Sequence, residues 1–206
     1  MFETVVARSR SIKPMNDWEQ LYQDGDTHWD KGEPSPGLLE WLGNASFVEG
    51  STVLVPGCGF GHDVRALARA GFKAVGLDVA PSAVSGAWEQ TPADFSGVEF
   101  REGNFLQDEP FDGFDYIFEH TCFCAIDPSE RGVYAASVAQ WLNPGGFLLA
   151  IHYMLPPDED GPPFGTNREE IVQRFSLRFD LITDWEPSSW EHRQGQEQMF
   201  LWSKKV

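Results

Sequence analysis

No stretch of the 206-residue chain approaches the ~20 consecutive apolar residues that a membrane-spanning helix requires. The opening residues, MFETVVARSRSIKP, lack the apolar run of a secretory leader, which predicts a chain without one. Cysteine is scarce. Three residues cannot build a disulfide framework, and an odd count suits a reducing cytoplasm, the expected compartment. Cys122 and Cys124 have no second thiol pair nearby, so no metal centre is expected. Basic residues are also few: 15 Lys and Arg face 32 Asp and Glu, a formal net charge of −17. Such a surface repels phosphate backbones and anionic lipid, which argues against nucleic acid and membrane partners. Internal repeats and low-complexity segments are missing as well.

What is present is ordinary for a globular protein: 41% hydrophobic and 23% charged residues. The length predicts one compact unit, with residues 1–50 as a helical N-terminal segment and 51–206 as the main body. Aromatics are frequent, at 16 Phe, 8 Trp and 4 Tyr, so some tryptophans are expected to line a pocket.

The pattern predicts short helices at Asn16–Gln23 and Pro36–Leu42, the second with Pro in its first turn. From residue 51 it alternates. Strands are expected at Thr52–Val55, Lys73–Leu77, Val98–Arg101, Phe114–Phe118 and Phe147–Tyr153. Helices are expected at Asp63–Ala70, Pro81–Gln90, Ser129–Leu142 and Arg168–Phe175. The alternating runs Phe179–Trp185 and Gln198–Trp202 predict a C-terminal antiparallel hairpin. Strands and helices in alternation imply βαβ units, hence an α/β, doubly wound, mainly parallel sheet. Ligands of such sheets bind beyond the carboxyl ends of the strands, near the switch point.

After the first strand stands Gly57-Cys58-Gly59-Phe60-Gly61-His62, a G-x-G-x-G loop opening a helix. Glycine permits the sharp turn and close approach of a ligand to the peptide groups. A dinucleotide fingerprint requires glycine at position 62, where this chain has His62. The loop therefore suits a nucleoside without a pyrophosphate better than a nicotinamide cofactor. Asp78 ends the second strand, 21 residues after Gly57. A carboxylate there is placed to accept both hydroxyls of a ribose; its other reading is a cap for the helix that follows.

These residues resemble class I S-adenosylmethionine-dependent methyltransferases. The segments VPGCGFGHDV, FEHTCFCAIDPSER and GPPF, taken in order, resemble the thiopurine S-methyltransferase-like family, and within it the thiol/halide methyltransferases. The resemblance implies a seven-stranded Rossmann-like sheet and S-adenosylmethionine as cofactor, with S-adenosylhomocysteine as product and no metal. It implies that Trp18, Tyr22 and Trp29 belong to a lid over the cofactor. Relatives often carry Trp at the position of Tyr22. Aromatic faces attract the sulfonium cation, and Trp18 and Tyr22, four apart, share a helix face. Gly57, Gly59, Asp78, Asn104, Phe105, Glu119 and Arg131 are the further cofactor-binding candidates. Asn104 is expected at the adenine edge, Phe105 stacked on the base, and Glu119 near the sulfonium. Relatives carry an arginine where Arg131 stands, implying a role in ordering this region. Phe123, Tyr153 and Phe164 are the expected substrate contacts, together with His120, which occupies a position where relatives often have Tyr. His120 and Tyr153 are the catalytic candidates, His120 as a proton acceptor.

The expected reaction is in-line methyl transfer to a small soft nucleophile: a thiol, hydrosulfide, thiopurine, halide or chalcogen oxyanion. O- or N-methylation of a small metabolite, and cofactor binding without catalysis, remain alternatives. The expected partners are small molecules, with the protein as a monomer or homodimer.

Overall fold

The computed structural model describes residues 17–156 and 161–205. Asn16 and residues 157–160 of the acidic Pro156–Pro163 loop, a segment expected to be a mobile cover, lie outside them. Seven strands form one sheet: β1 (Thr52–Pro56), β2 (Lys73–Asp78), β3 (Val98–Glu102), β4 (Phe114–His120), β5 (Leu142–Tyr153), β6 (Phe179–Trp185) and β7 (Glu197–Lys204). Their order is β3-β2-β1-β4-β5-β7-β6. The pairs among β1 to β5 are parallel, whereas β7 runs antiparallel between β5 and β6. The chain leaves β1 in one direction and returns at β4 on its other side, so the switch point lies between β1 and β4.

Period-two alternation divides the strand side chains between two cores. Leu54, Ile117, Leu148 and Ala150 face one side with Phe200 and Trp202. Val53, Val55, Phe118, Leu149 and Ile151 face the other with Met199. Helix α5 (Arg131–Trp141) closes the first side with Tyr134, Ala135, Val138 and Trp141, all fully buried at helical spacing. Helix α6 (Arg168–Phe175) adds Ile171 and Phe175. Helices α2 (Pro36–Asn44) and α3 (His62–Arg69) cover the second side through Leu38, Val64 and Leu67. Leu38 is 0% exposed, so α2 is part of the core rather than a loose N-terminal appendage.

The expected elements are all present; α6 and β6 keep their expected ends and the others shift by one to five residues. Helix α1 runs Trp18–Asp24, with the Asp17 side chain accepting the Gln20 N–H and Gly25 in the left-handed region at its end. Helix α4 occupies Pro81–Glu89. The largest shift is at β5, which starts at Leu142 instead of Phe147. Leu142 already pairs with Phe114, and the Asn143–Gly146 turn bulges out before Phe147 pairs with Tyr116. Turn-forming residues there interrupt a strand rather than precede it.

Candidate active site

The loops following β1 and β4 meet at the switch point. Gly57, Gly59 and Gly61 have φ of 61°, 53° and 77°, the left-handed region that disfavours a Cβ. Space also excludes one. A Cβ on Gly57 would lie 3.0 Å from Cys122 Sγ, and on Gly59 3.0 Å from the Tyr22 hydroxyl. On Gly61 it would come within 2.6 Å of two atoms of the buried Phe100 ring. The loop thus lets β4's turn, the N-terminal helix and β3 approach at once.

Asp78 is almost fully buried at the end of β2 and accepts the Gly59 N–H (2.8 Å) and the Ala80 N–H (3.0 Å). Burial raises its pKa, and these N–H groups oppose the rise. Asp78 does not cap α4, whose N-cap is Ala80. That helix is capped from α1 instead: Glu19 accepts the Ser82 N–H (2.9 Å) and hydroxyl (2.7 Å), which lower its pKa. Helix α1 is thereby fixed over the first turn of α4.

The aromatic residues expected in the lid come together beside this loop. Trp18 and Trp29 meet edge to face at 5.3 Å, and Tyr22 meets Trp29 at 5.7 Å and Phe60 at 5.2 Å. Trp29 Nε1 donates to the Tyr22 hydroxyl at 3.4 Å. Burial, then the charge of Asp78, holds the Tyr22 phenol in its neutral form. The far end of the segment is attached to α3: Asp30 lies 3.1 Å from His62 Nε2, and Asp63 accepts the Ser35 N–H at 2.8 Å.

Beyond β3, Asn104 Oδ1 accepts the Leu106 N–H at 3.0 Å, so its NH2 is the end available to a base edge. Phe105 corrects an expectation. Its ring is 7% exposed and packs on Tyr134 and Trp141, at 5.4 and 5.6 Å between centroids, so it belongs to the core rather than to an open stacking face.

The turn after β4 is strained. Thr121 has φ of 63°, which for a β-branched residue costs roughly 1–3 kcal/mol. Neighbouring hydrogen bonds hold it there. Glu119 Oε1 accepts the Cys122 and Phe123 N–H groups, both at 3.0 Å, and the Thr121 hydroxyl donates to the His120 carbonyl at 2.7 Å. Glu119 is 0% exposed, and its other oxygen lies 3.2 Å from Nδ1 of the buried His152. Its carboxylate is committed to this turn and not turned toward a ligand, contrary to the expectation of a sulfonium partner. Phe123 is likewise a core residue: 1% exposed, it packs on Tyr134, His152 and Phe175.

Arg131, 1% exposed, donates to the Phe164 carbonyl (3.0 Å), the Gly165 carbonyl (3.0 Å) and Glu170 (3.1 Å), with its guanidinium 4.5 Å above the Phe123 ring. It does not reach the glycine loop through any of these contacts. It anchors the segment carrying Phe164, whose own N–H donates to the Cys124 carbonyl at 2.7 Å. Phe164 is half-buried. Tyr153, also half-buried, donates its hydroxyl to Gln196 at 3.0 Å and lies under Arg193 at 4.8 Å. His120, at the end of β4, lies 3.5 Å from both Asp63 and Glu197.

Sequence reasoning missed His152, Asp63, Arg193 and Glu197. Strand parity carried a signal for the first: Glu119 and His152 lie on the same faces as Ile117 and Ala150. No pattern announces Glu197, which reaches the site only through the register of β7 on β5.

A close-fitting glycine cradle, a buried carboxylate accepting loop N–H groups, and three clustered rings suit an adenosyl ligand carrying a sulfonium. The parallel sheet closed by an antiparallel β7, with this loop at its switch point, defines a class I S-adenosylmethionine-dependent methyltransferase. Within that class the chain belongs to the thiopurine S-methyltransferase (TPMT) family, whose profile matches residues 14–205. It is 33% identical over 192 residues to thiocyanate methyltransferase 1 of Brassica oleracea, covering 91% of this chain and 84% of that protein. It is 26% identical over 179 residues to a thiopurine S-methyltransferase of Pseudomonas putida, covering 77% and 81%. The fold matches the N-methyltransferase NodS of Bradyrhizobium japonicum, solved with S-adenosylhomocysteine, at a TM-score of 0.67 and 18% identity over 82% and 84% of the two chains. Among the described residues no helix is long and apolar enough to cross a membrane, and no group of three or more His, Cys, Asp or Glu is placed to hold a metal ion.

Proposed function

We propose that the protein transfers the methyl group of S-adenosylmethionine to a small soft nucleophile, of the thiol, thiocyanate or halide kind. The observation that carries this reading is the convergence of Gly57–Gly61, Asp78 and the Trp18–Tyr22–Trp29 cluster at one sheet edge. Bound there, S-adenosylmethionine supplies a methyl group on positively charged sulfur.

The chain's own residues act by holding and enclosing. Asp78 offers charge-assisted hydrogen bonds to ribose hydroxyls. Asn104 presents its NH2 to the base edge. Aromatic faces of the lid stabilise the cation, each by ~0.5–2 kcal/mol. Glu19, by clamping α1 onto α4, keeps those faces over the loop and water away from the site. On the acceptor side, Tyr153 and Phe164 form the wall that orients the nucleophile, with Arg131 behind Phe164. A cytoplasmic setting suits three free cysteines, and a monomer or homodimer serves a small-molecule reaction.

The experiment is an acceptor panel of hydrosulfide, methanethiol, a thiopurine, thiocyanate, iodide and tellurite with S-adenosylmethionine. We expect methylation of at least one, with matching release of S-adenosylhomocysteine. Turnover of a phenol or an amine, with none of the panel methylated, contradicts the soft-nucleophile reading.

A further inference from the structure

His120 lies between carboxylates from two different elements. Nδ1 is 3.5 Å from Asp63 Oδ2 in the first turn of α3, and Nε2 is 3.5 Å from Glu197 Oε1 at the start of β7. The side chain is 9% exposed, and its ring stacks on Trp190 with centroids 5.6 Å apart. Neutral imidazole has one N–H and one lone pair, so it would turn that lone pair toward a carboxylate. Imidazolium donates at both nitrogens. A proton acceptor needs a lone pair facing the substrate, and both nitrogens of His120 face carboxylates.

Each carboxylate also holds another element. Asp63 Oδ1 accepts the Ser35 N–H at 2.8 Å, from the segment that follows the lid aromatics. Glu197 binds Arg193 at 3.0 Å and accepts the Ser189 hydroxyl at 2.6 Å, both from the loop before β7. Trp190 in that loop donates to Glu33 at 2.8 Å, closing the circuit back to the N-terminal segment.

We infer that His120 is a positioning cation joining the N-terminal segment to the β6–β7 loop across the transfer edge, and is not the proton acceptor. A thiol that reaches the site therefore loses no proton to His120. This rests on the methyltransferase reading of the edge. The groups facing the ring are Asp63 from α3 and Glu197 from β7, with Arg193 behind Glu197 and Trp190 on its face. Burial lowers the His120 pKa, but hydrogen bonds to Asp63 and Glu197, and their charges, outweigh it and raise the pKa from 6.5 to about 9. For Glu197, burial opposes ionisation, and His120, Ser189 and Arg193 bring the pKa down to about 2. A raised histidine stabilises the fold fully below its unfolded value of 6.5, and that stabilisation is lost as pH rises through about 9.

The test uses His120→Gln, which keeps a donor and an acceptor but not the charge. Its kcat/KM is measured with thiocyanate, which needs no deprotonation, and with methanethiol. Melting temperature is followed from about pH 6.5 to 10. We expect both acceptors to lose activity by a similar factor, about 10-fold through misplacement of the pocket walls. The wild-type advantage in melting temperature should shrink as pH rises through that range. Loss confined to methanethiol, with thiocyanate unaffected, assigns His120 as the base and overturns the inference. Nitrogen-15 spectra of the wild-type ring decide the matter without a variant: two N–H groups persisting above about pH 8 support the inference, and titration near 6.5 refutes it. Should the wild type methylate neither acceptor nor any other member of the soft-nucleophile panel, the proposed substrate class fails, while the ring titration still decides the state of His120.

Discussion

Asp78→Ala raises the dissociation constant of S-adenosylhomocysteine ~100-fold or more, because two hydrogen bonds to a charged group are lost at ~1.5 kcal/mol or more each. The fold should tolerate the change better than the ligand does. Burial raises the Asp78 pKa, so the ionised carboxylate is a burden on the native state at neutral pH. The stability this group contributes is full below its unfolded value of 3.8 and is lost as pH rises through the higher folded value. Asp78→Asn removes the charge and keeps one acceptor, so the Gly59 N–H keeps its partner while the Ala80 N–H faces the new NH2. Its melting temperature should fall less than the alanine variant's, because one of the two N–H groups keeps its acceptor, while cofactor affinity falls. Calorimetric titration beside thermal melts checks both. A dissociation constant within twofold of wild type for the alanine variant removes Asp78 from the binding site.

Arg131→Met acts mainly on stability. The guanidinium serves the Phe164 and Gly165 carbonyls, Glu170 and the face of Phe123 from a position 1% exposed. Methionine fills the volume and serves none of the polar groups. Glu170 keeps Arg174 (2.7 Å) and Thr166 (2.8 Å), so the loss falls on the two carbonyls and the tether of Phe164. We expect a loss of about 2–6 kcal/mol, from two carbonyls left without their donor at roughly 1–3 kcal/mol each, and a fall in melting temperature of roughly 4–24 °C for a chain of this size. KM for the methyl acceptor should rise as Phe164 loosens, with cofactor affinity little changed. Arg131→Lys should fall between, because an ammonium cannot supply the same fork of donors. A melting temperature within 2 °C of wild type for the methionine variant contradicts the anchoring role.

The parallel half of the fold was legible because each signal was local. Thr52–Val55 is a β-branched run stopped by Pro56-Gly57, and Lys73–Leu77 follows a helix ending near Gly71. The shared helix face of Trp18 and Tyr22, one turn apart, was local in the same way, whereas the reading of this segment as a lid came from the family resemblance. Roles that depend on side-chain direction were less accessible. Glu119 and His120 are sequence neighbours, yet parity sends one into the α5–α6 core against His152 and the other toward Asp63. Phe105 and Phe123 follow strands at the ligand-bearing edge, but their rings turn inward to Tyr134. The environment of His120 was out of reach, because Glu197 is brought to it by strand pairing 77 residues away. Local pattern places a residue at the edge; only tertiary register decides whether it faces ligand, core or another charge.

Every role assigned above depends on where the adenosyl ligand sits. A crystal structure with S-adenosylhomocysteine tests it most directly. We expect ribose hydroxyls on the Asp78 carboxylate, the thioether sulfur between the Gly57–Gly59 turn and the lid rings, and the adenine edge toward Asn104. Well-defined ligand density elsewhere on the molecule, with Asp78 making no contact to it, rules out this placement of the cofactor.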